Sequence, residues 1–214
     1  MILPLLWLLL AVAAPAVLAG DNDSKKNNLD LGANYSHPLG NPKLDLVTGR
    51  ESVEVDRDNG FYVNYERKLS KVVGLKFGFA SNEYDLDVSS GPLQGNLGSL
   101  KTRPLTANLL FHPSSGAPVD FYFGGGFAYV KYGDIDVRSR FQLAFADVFP
   151  GRVTQLDPDD DKTWNTELGL NIKFGDSPLC LNLNGQYIKT TAATNHGDFK
   201  VDPINAGAAL LIRW

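Results

Sequence analysis

The sequence predicts an all-β protein: an eight-stranded antiparallel transmembrane up-and-down β-barrel with short periplasmic turns and long outer loops. Three observations predict it. Eight stretches alternate apolar with other residues at a period of two, the pattern of strands with one face in an apolar environment. The connections between them alternate long and short. The last stretch, in residues 201–214 (VDPINAGAALLIRW), finishes on an aromatic residue. An apolar strand left as an edge invites aggregation, whereas one that pairs with the first strand closes a wall.

In chain order, residues 1–19 hold no charged residue, and the apolar run 5–12 has the length of a secretory h-region, too short to span a bilayer. Val17 and Ala19 suit the −3 and −1 positions, although the n-region lacks Lys and Arg. Residues 1–19 are therefore expected to be a cleaved signal peptide and 20–214 the barrel. The first strand alternates Leu29, Leu31, Ala33 and Tyr35 with Asp30, Gly32, Asn34 and Ser36. Phe61, Val63 and Tyr65 carry the second, and Val73, Leu75, Phe77 and Phe79 the third. Leu105, Ala107, Leu109 and Phe111 form the fourth, and Phe121, Phe123, Gly125, Phe127 and Tyr129 the fifth. The sixth has Trp164, Thr166, Leu168, Leu170, Ile172 and Phe174; the seventh Leu179, Leu181, Leu183 and Tyr187. The eighth has Ile204, Ala206, Ala208, Leu210, Ile212 and Trp214.

Connections 69–72, 112–119 and 175–178 are short and rich in turn residues, while 38–59, 82–101, 133–162 and 189–200 are long. Aromatics at strand ends, among them Tyr35, Phe61, Phe111, Trp164, Tyr187 and Trp214, fit interfacial girdles. A soluble eight-stranded, lipocalin-like barrel would instead point its apolar face inward. The Gly- and Asn-rich opposite face suits a narrow lumen and favours the membrane barrel.

The 214 residues carry a formal net charge of −4 without a basic stripe, so no nucleic-acid partner is expected. Cys180 is the sole cysteine, which excludes an intrachain disulfide. No cofactor is expected.

Residues 101–111 (KTRPLTANLLF), 119–129 (VDFYFGGGFAY) and 201–214 resemble the OmpW family of small outer-membrane barrels. The resemblance spans nearly all of the mature chain. It departs at Trp214, where Phe is commoner in the family, and is weak in loops 38–59 and 133–162. It implies a narrow porin-like barrel in the cell outer membrane, associated with transport of small hydrophobic solutes and lateral release into the bilayer. The family's ligand contacts fall where this chain diverges, so no ligand specificity carries over. The terminal aromatic also resembles the signal read by barrel-assembly machinery.

Inward parity places Asp30, Glu66, Lys76, Lys173 and Arg213 near the periplasmic end, with Glu167 somewhat higher. Charges enclosed in so narrow a lumen must pair, so an ion-paired plug is expected. Tyr62, Ala80, Pro104, Gly124, Gly126, Ala128 and Val130 should line a small, apolar upper vestibule above it. Pro104 and Pro203 lack an N–H and are candidates for a lateral opening, while also fitting the plainer role of starting or ending strands.

Asp157, Asp159 and Asp161 have calcium-loop spacing, but Lys162 and Leu168 stand where such a loop needs Gly and Glu, so no metal site is expected. A solvated acidic loop is the plainer reading, with loose divalent-cation bridging to lipopolysaccharide as the alternative. Residues 140–148 (RFQLAFADV) have helical spacing, and Phe141 and Phe145 are candidates for the barrel entrance as well as for ordinary loop packing. His37, His112 and His196 share no predicted face with a serine and an acid, so no catalytic residue is assigned. The expected function is passive admission of small hydrophobic molecules; the alternative is a structural barrel whose outer loops bind a partner. Membrane lipid, lipopolysaccharide and a hydrophobic solute are the expected partners.

Overall fold

The structure, a computed structural model, describes residues 26–40, 43–44, 51–88, 94–139, 141–142, 154–194 and 197–214. The expected signal peptide, 1–19, lies outside the described residues. Eight strands form the wall: β1 (Asn27–Pro38), β2 (Asp58–Lys68), β3 (Val73–Val88), β4 (Gly95–Phe111), β5 (Val119–Tyr132), β6 (Asp161–Lys173), β7 (Leu179–Ile188) and β8 (Pro203–Arg213). Each pairs antiparallel with its neighbours in sequence. The barrel closes where β1 meets β8, in unbroken register from Asn28↔Arg213 to Pro38↔Pro203. The Asn27 and Trp214 backbones exchange hydrogen bonds of 3.0 Å just beyond that seam.

Parity within each strand explains this placement. The odd-numbered residues of β3 from Val73 to Phe79 are apolar and face lipid, with Phe77 half-exposed, while Lys76 is buried inside. Above Phe79 the polarity reverses. Ser81, Glu83, Asp85 and Asp87 now face outward, and Tyr84, Leu86 and Val88 are buried inward. The same reversal separates Leu105 from Arg103 on β4, Tyr129 from Lys131 on β5 and Trp164 from Lys162 on β6. An apolar exterior requires lipid and a polar exterior requires water. These residues therefore mark the outer membrane surface.

Residues 82–101, expected to be a loop, are largely strand: β3 runs on to Val88 and β4 begins at Gly95. They continue the wall above the membrane as a water-soluble extension with an apolar interior. Short strand pairs Ile135–Asp136 with Gln155–Leu156, and Thr191–Thr194 with Gly197–Lys200, lie within other long connections. Tyr84, Leu97, Leu100, Val130, Ile135, Phe141, Leu156 and Val201 pack into one buried cluster there. A helical turn begins at Ser139, and Phe141 is 2% exposed and belongs to this cluster rather than lining an entrance. Phe145 and the rest of that predicted helix lie outside the described residues.

At the opposite end the connections are tight. Leu69 N–H donates to the Val73 carbonyl at 2.8 Å and Ala117 N–H to that of Ser114 at 3.0 Å. Gly116 and Gly175 supply the positive φ angles, 98° and 58°, that these turns need.

Candidate functional site

The interior of the lower barrel is polar and filled. Lys76 on β3 contacts the Glu167 carboxylate of β6 and lies 3.6 Å from Asp30 on β1. The Asn108 amide and the Tyr122 hydroxyl also donate to Glu167, at 3.0 and 3.2 Å. Asn182 then donates to the Tyr122 oxygen at 3.0 Å and to Asn171 at 2.7 Å. One cation and its two carboxylates thus tie three strands together across the lumen, as a buried charge requires.

A second cluster closes the periplasmic end. His112, fully buried just past β4, has Nε2 2.9 Å from Glu66 and Nδ1 3.0 Å from Asp120. Lys68 lies 3.5 Å from both carboxylates, and Asn28 donates to Glu66 at 2.8 Å. Glu66 reaches His112 by passing over β3 at Gly74, where a Cβ would fall 2.1 Å from its Oε1. Burial disfavours the charged imidazole, but the hydrogen bonds and negative charge of Asp120 and Glu66 outweigh it and hold the His112 proton to higher pH than usual.

Two tyrosines lie across the bore. Tyr122 covers Gly169, where a Cβ would stand 2.5 Å from its ring, and Tyr62 covers Gly207, where the distance is 2.7 Å. Asn184 donates to the Tyr62 hydroxyl at 2.6 Å. Above them is a cavity of about 20 Å³, lined by Asn34, Tyr62, Ala80, Pro104, Asn184, Gln186 and Asn205 among others. It has room for roughly one water molecule.

Of the residues expected in the plug, Asp30, Glu66, Lys76 and Glu167 come together in these clusters. Glu167 touches Lys76 and so belongs to the same cluster. Lys173 and Arg213 are partly exposed at the periplasmic end and, among the described residues, neither forms an ion pair. Sequence reasoning missed Lys68, His112 and Asp120. The signal was parity carried one step past the strand ends: Lys68 follows Glu66, His112 follows Leu110, and Asp120 precedes Tyr122, each by two.

The expected apolar vestibule is not open space. Gly124 pairs with Glu167 and Gly126 with Asn108 and Asn165, so register puts both glycines beside the ion pairs rather than above them. Ala128 and Val130 are buried in the apolar cluster that caps the mouth. Tyr62, Ala80 and Pro104 do border the small cavity, but its other walls are mostly polar.

The two prolines differ. Pro203 opens β8 opposite Pro38, and the β1–β8 ladder is unbroken through it. At Pro104 the β3–β4 ladder stops: Phe79↔Leu105 and Asn82↔Thr102 pair, whereas Ala80, Ser81, Arg103 and Pro104 do not pair across this seam. The missing proline N–H accounts for the gap on its side. On the lipid side of the same seam lies an apolar groove lined by Phe77, Gly78, Leu105, Thr106, Ala107, Phe127, Tyr129 and Trp164. Gly78 and Thr106 border both the groove and the inner cavity.

Elsewhere, Asp161 accepts from Thr190 and from the Thr191 amide, at 3.2 and 3.0 Å. The acidic segment thus anchors the outer extension. The Ser114 hydroxyl accepts from the Phe121 amide at 2.7 Å and serves the turn.

No protein-family model and no curated protein sequence matches the chain. Among solved structures, outer membrane protein OprG from Pseudomonas aeruginosa superposes with a TM-score of 0.74, at 20% identity over 89% of this chain and 96% of that one. This is the fold of the small outer-membrane barrels of the OprG and AlkL type. Outer membrane protein AlkL matches at a TM-score of 0.57 and 15% identity, over 92% of this chain and 94% of its own. Neisserial surface protein A matches at 0.53 and 9%, over 88% and 97%. The shared fold and the apolar belt place the barrel in an outer membrane, with lipid against its wall.

Proposed function

We propose that the barrel admits small hydrophobic molecules at its outer mouth and releases them sideways into the membrane through the β3–β4 seam. One observation carries this reading. Just below the Pro104 ladder break, an inner cavity and an outer apolar groove are separated by a wall that they share, the paired residues Gly78 and Thr106. Straight passage would have to displace Tyr122, the Lys76–Glu167–Asp30 cluster and the His112 cluster, all buried and mutually bonded. Solute reaches the cavity when the apolar cap parts. Insertion by barrel-assembly machinery fits the aromatic end of the closing strand.

Uptake of a hydrophobic fluorescent probe into proteoliposomes tests the route. Pro104→Val supplies the N–H that the ladder lacks and is expected to slow uptake severalfold, whereas Pro203→Val leaves it unchanged. Undiminished uptake with a correctly folded Pro104→Val barrel refutes the sideways exit.

The packed cap favours a second reading, a surface-interaction barrel with an inert lumen. Sensitivity of cells to a hydrophobic solute, with and without the protein, separates the two.

A further inference from the structure

We infer that the outer wall of β3–β6 carries a binding site for a phosphorylated, multiply acylated lipid of the outer leaflet. Register lays out the site in rows. Phe77, Ala107, Phe127 and Trp164 are consecutive cross-strand partners on the lipid side, with Phe77 50% and Phe127 80% exposed. Ala107 is the small member of this row, so it forms the floor of a trough whose walls are Phe77 and Phe127. Those walls stand two strand spacings, ~10 Å, apart. That width accepts an acyl chain lying along the strands.

Above the trough comes the row Leu105, Tyr129 and Lys162, and above that Arg103 directly opposite Lys131. Like charges facing each other across a ladder are destabilising. Both side chains are exposed, and among the described residues neither has an acidic partner within ion-pair distance. Of the nearby acids, Asp160 turns to the Tyr129 hydroxyl and the Tyr132 amide, and Glu83 lies 3.6 Å from Lys101. Two cations thus stand together one row above the membrane surface, over an apolar trough. A phosphate between them relieves their repulsion while its acyl chains fill the trough, a match of charge and shape that an anion or an alkyl chain alone lacks. The site does not depend on transport, since a lipid held there borders the β3–β4 seam without entering the lumen.

Native mass spectrometry of the full chain, refolded in lipid-free detergent, tests this with diphosphoryl lipid A, its dephosphorylated form and inorganic pyrophosphate. The diphosphoryl lipid is expected to be retained about tenfold better than the dephosphorylated one, and pyrophosphate should not displace it. Arg103→Gln with Lys131→Gln is expected to lose about tenfold in retention by removing the headgroup cations. Ala107→Trp, which fills the trough, should lower retention of both lipids. All three positions face outward, and circular dichroism checks the fold; if the double variant does not refold, Lys131→Gln alone should still lose about threefold. Equal retention of the two lipids, displacement by pyrophosphate, or variants that bind as well as the parent would each overturn the site.

Discussion

Replacing Lys76 by methionine keeps the length of the side chain and removes its charge, leaving Asp30 and Glu167 without the cation they share. The side chains of Lys76, Asp30 and Glu167 are 3%, 5% and 4% exposed, so water cannot take the cation's place. Breaking such a buried pair from one side costs ~3–5 kcal/mol, because a charge stays buried without compensation. Glu167 keeps the Asn108 and Tyr122 donors, whereas Asp30 loses its ion pair, so the loss should fall near the lower end, ~3 kcal/mol. The measurement is urea unfolding in phospholipid vesicles, followed by tryptophan fluorescence. Adding Asp30→Asn and Glu167→Gln removes the stranded charges and should recover most of the loss, since neutral replacement of a whole buried cluster is often tolerated. A single-variant loss below about 1 kcal/mol, or a triple variant less stable than the single, would refute the view that this cluster binds the strands together.

Gly207→Ala places a methyl 2.7 Å from the Tyr62 ring and 2.8 Å from the Asn184 oxygen, and should cost ~1–3 kcal/mol. In a Tyr62→Ala background most of that cost should vanish, as a double-mutant cycle would report. The proton held by His112 makes stability pH-dependent. Because its folded pKa is raised, its contribution is complete below the ordinary histidine value of ~6.5 and is lost as pH rises through the folded value. Unfolding measured from pH 6 upward should therefore show falling stability (pH chosen around the ~6.5 reference), and His112→Gln should flatten the curve. Cys180, fully buried on the inward face of β7, should resist a maleimide in the folded barrel and react on unfolding. Rapid labelling of the folded protein would contradict its placement.

Much of the wall was legible residue by residue. Leu29, Leu31, Ala33 and Tyr35 face outward on β1, and Ile204 to Ile212 do so on β8, as their spacing predicts. The outer extension was misread because the polarity reverses at Phe79 and Ser81. Glu83, Asp85 and Asp87 fall within the connection expected at 82–101, although they alternate with Tyr84, Leu86 and Val88 as regularly as the strand below. The pattern was present with its sign exchanged, water having replaced lipid outside. The floor was missed for a different reason: His112 lies in the turn after β4 and Asp120 at the very start of β5, and only the folded wall brings them to Glu66 from β2.

By itself, the sequence determined the strands, the side each residue faces and the closure of β1 on β8. These follow from a period of two and from matching apolar rows, which are local properties of the chain. Only the tertiary structure decided which buried charges meet, that Tyr62 lies over Gly207 two strands away, and that the ladder breaks beside a cavity at Pro104. Those outcomes depend on the register between strands and on how far a side chain reaches across the ring. Neither is written in any single strand, because each is set by all eight at once.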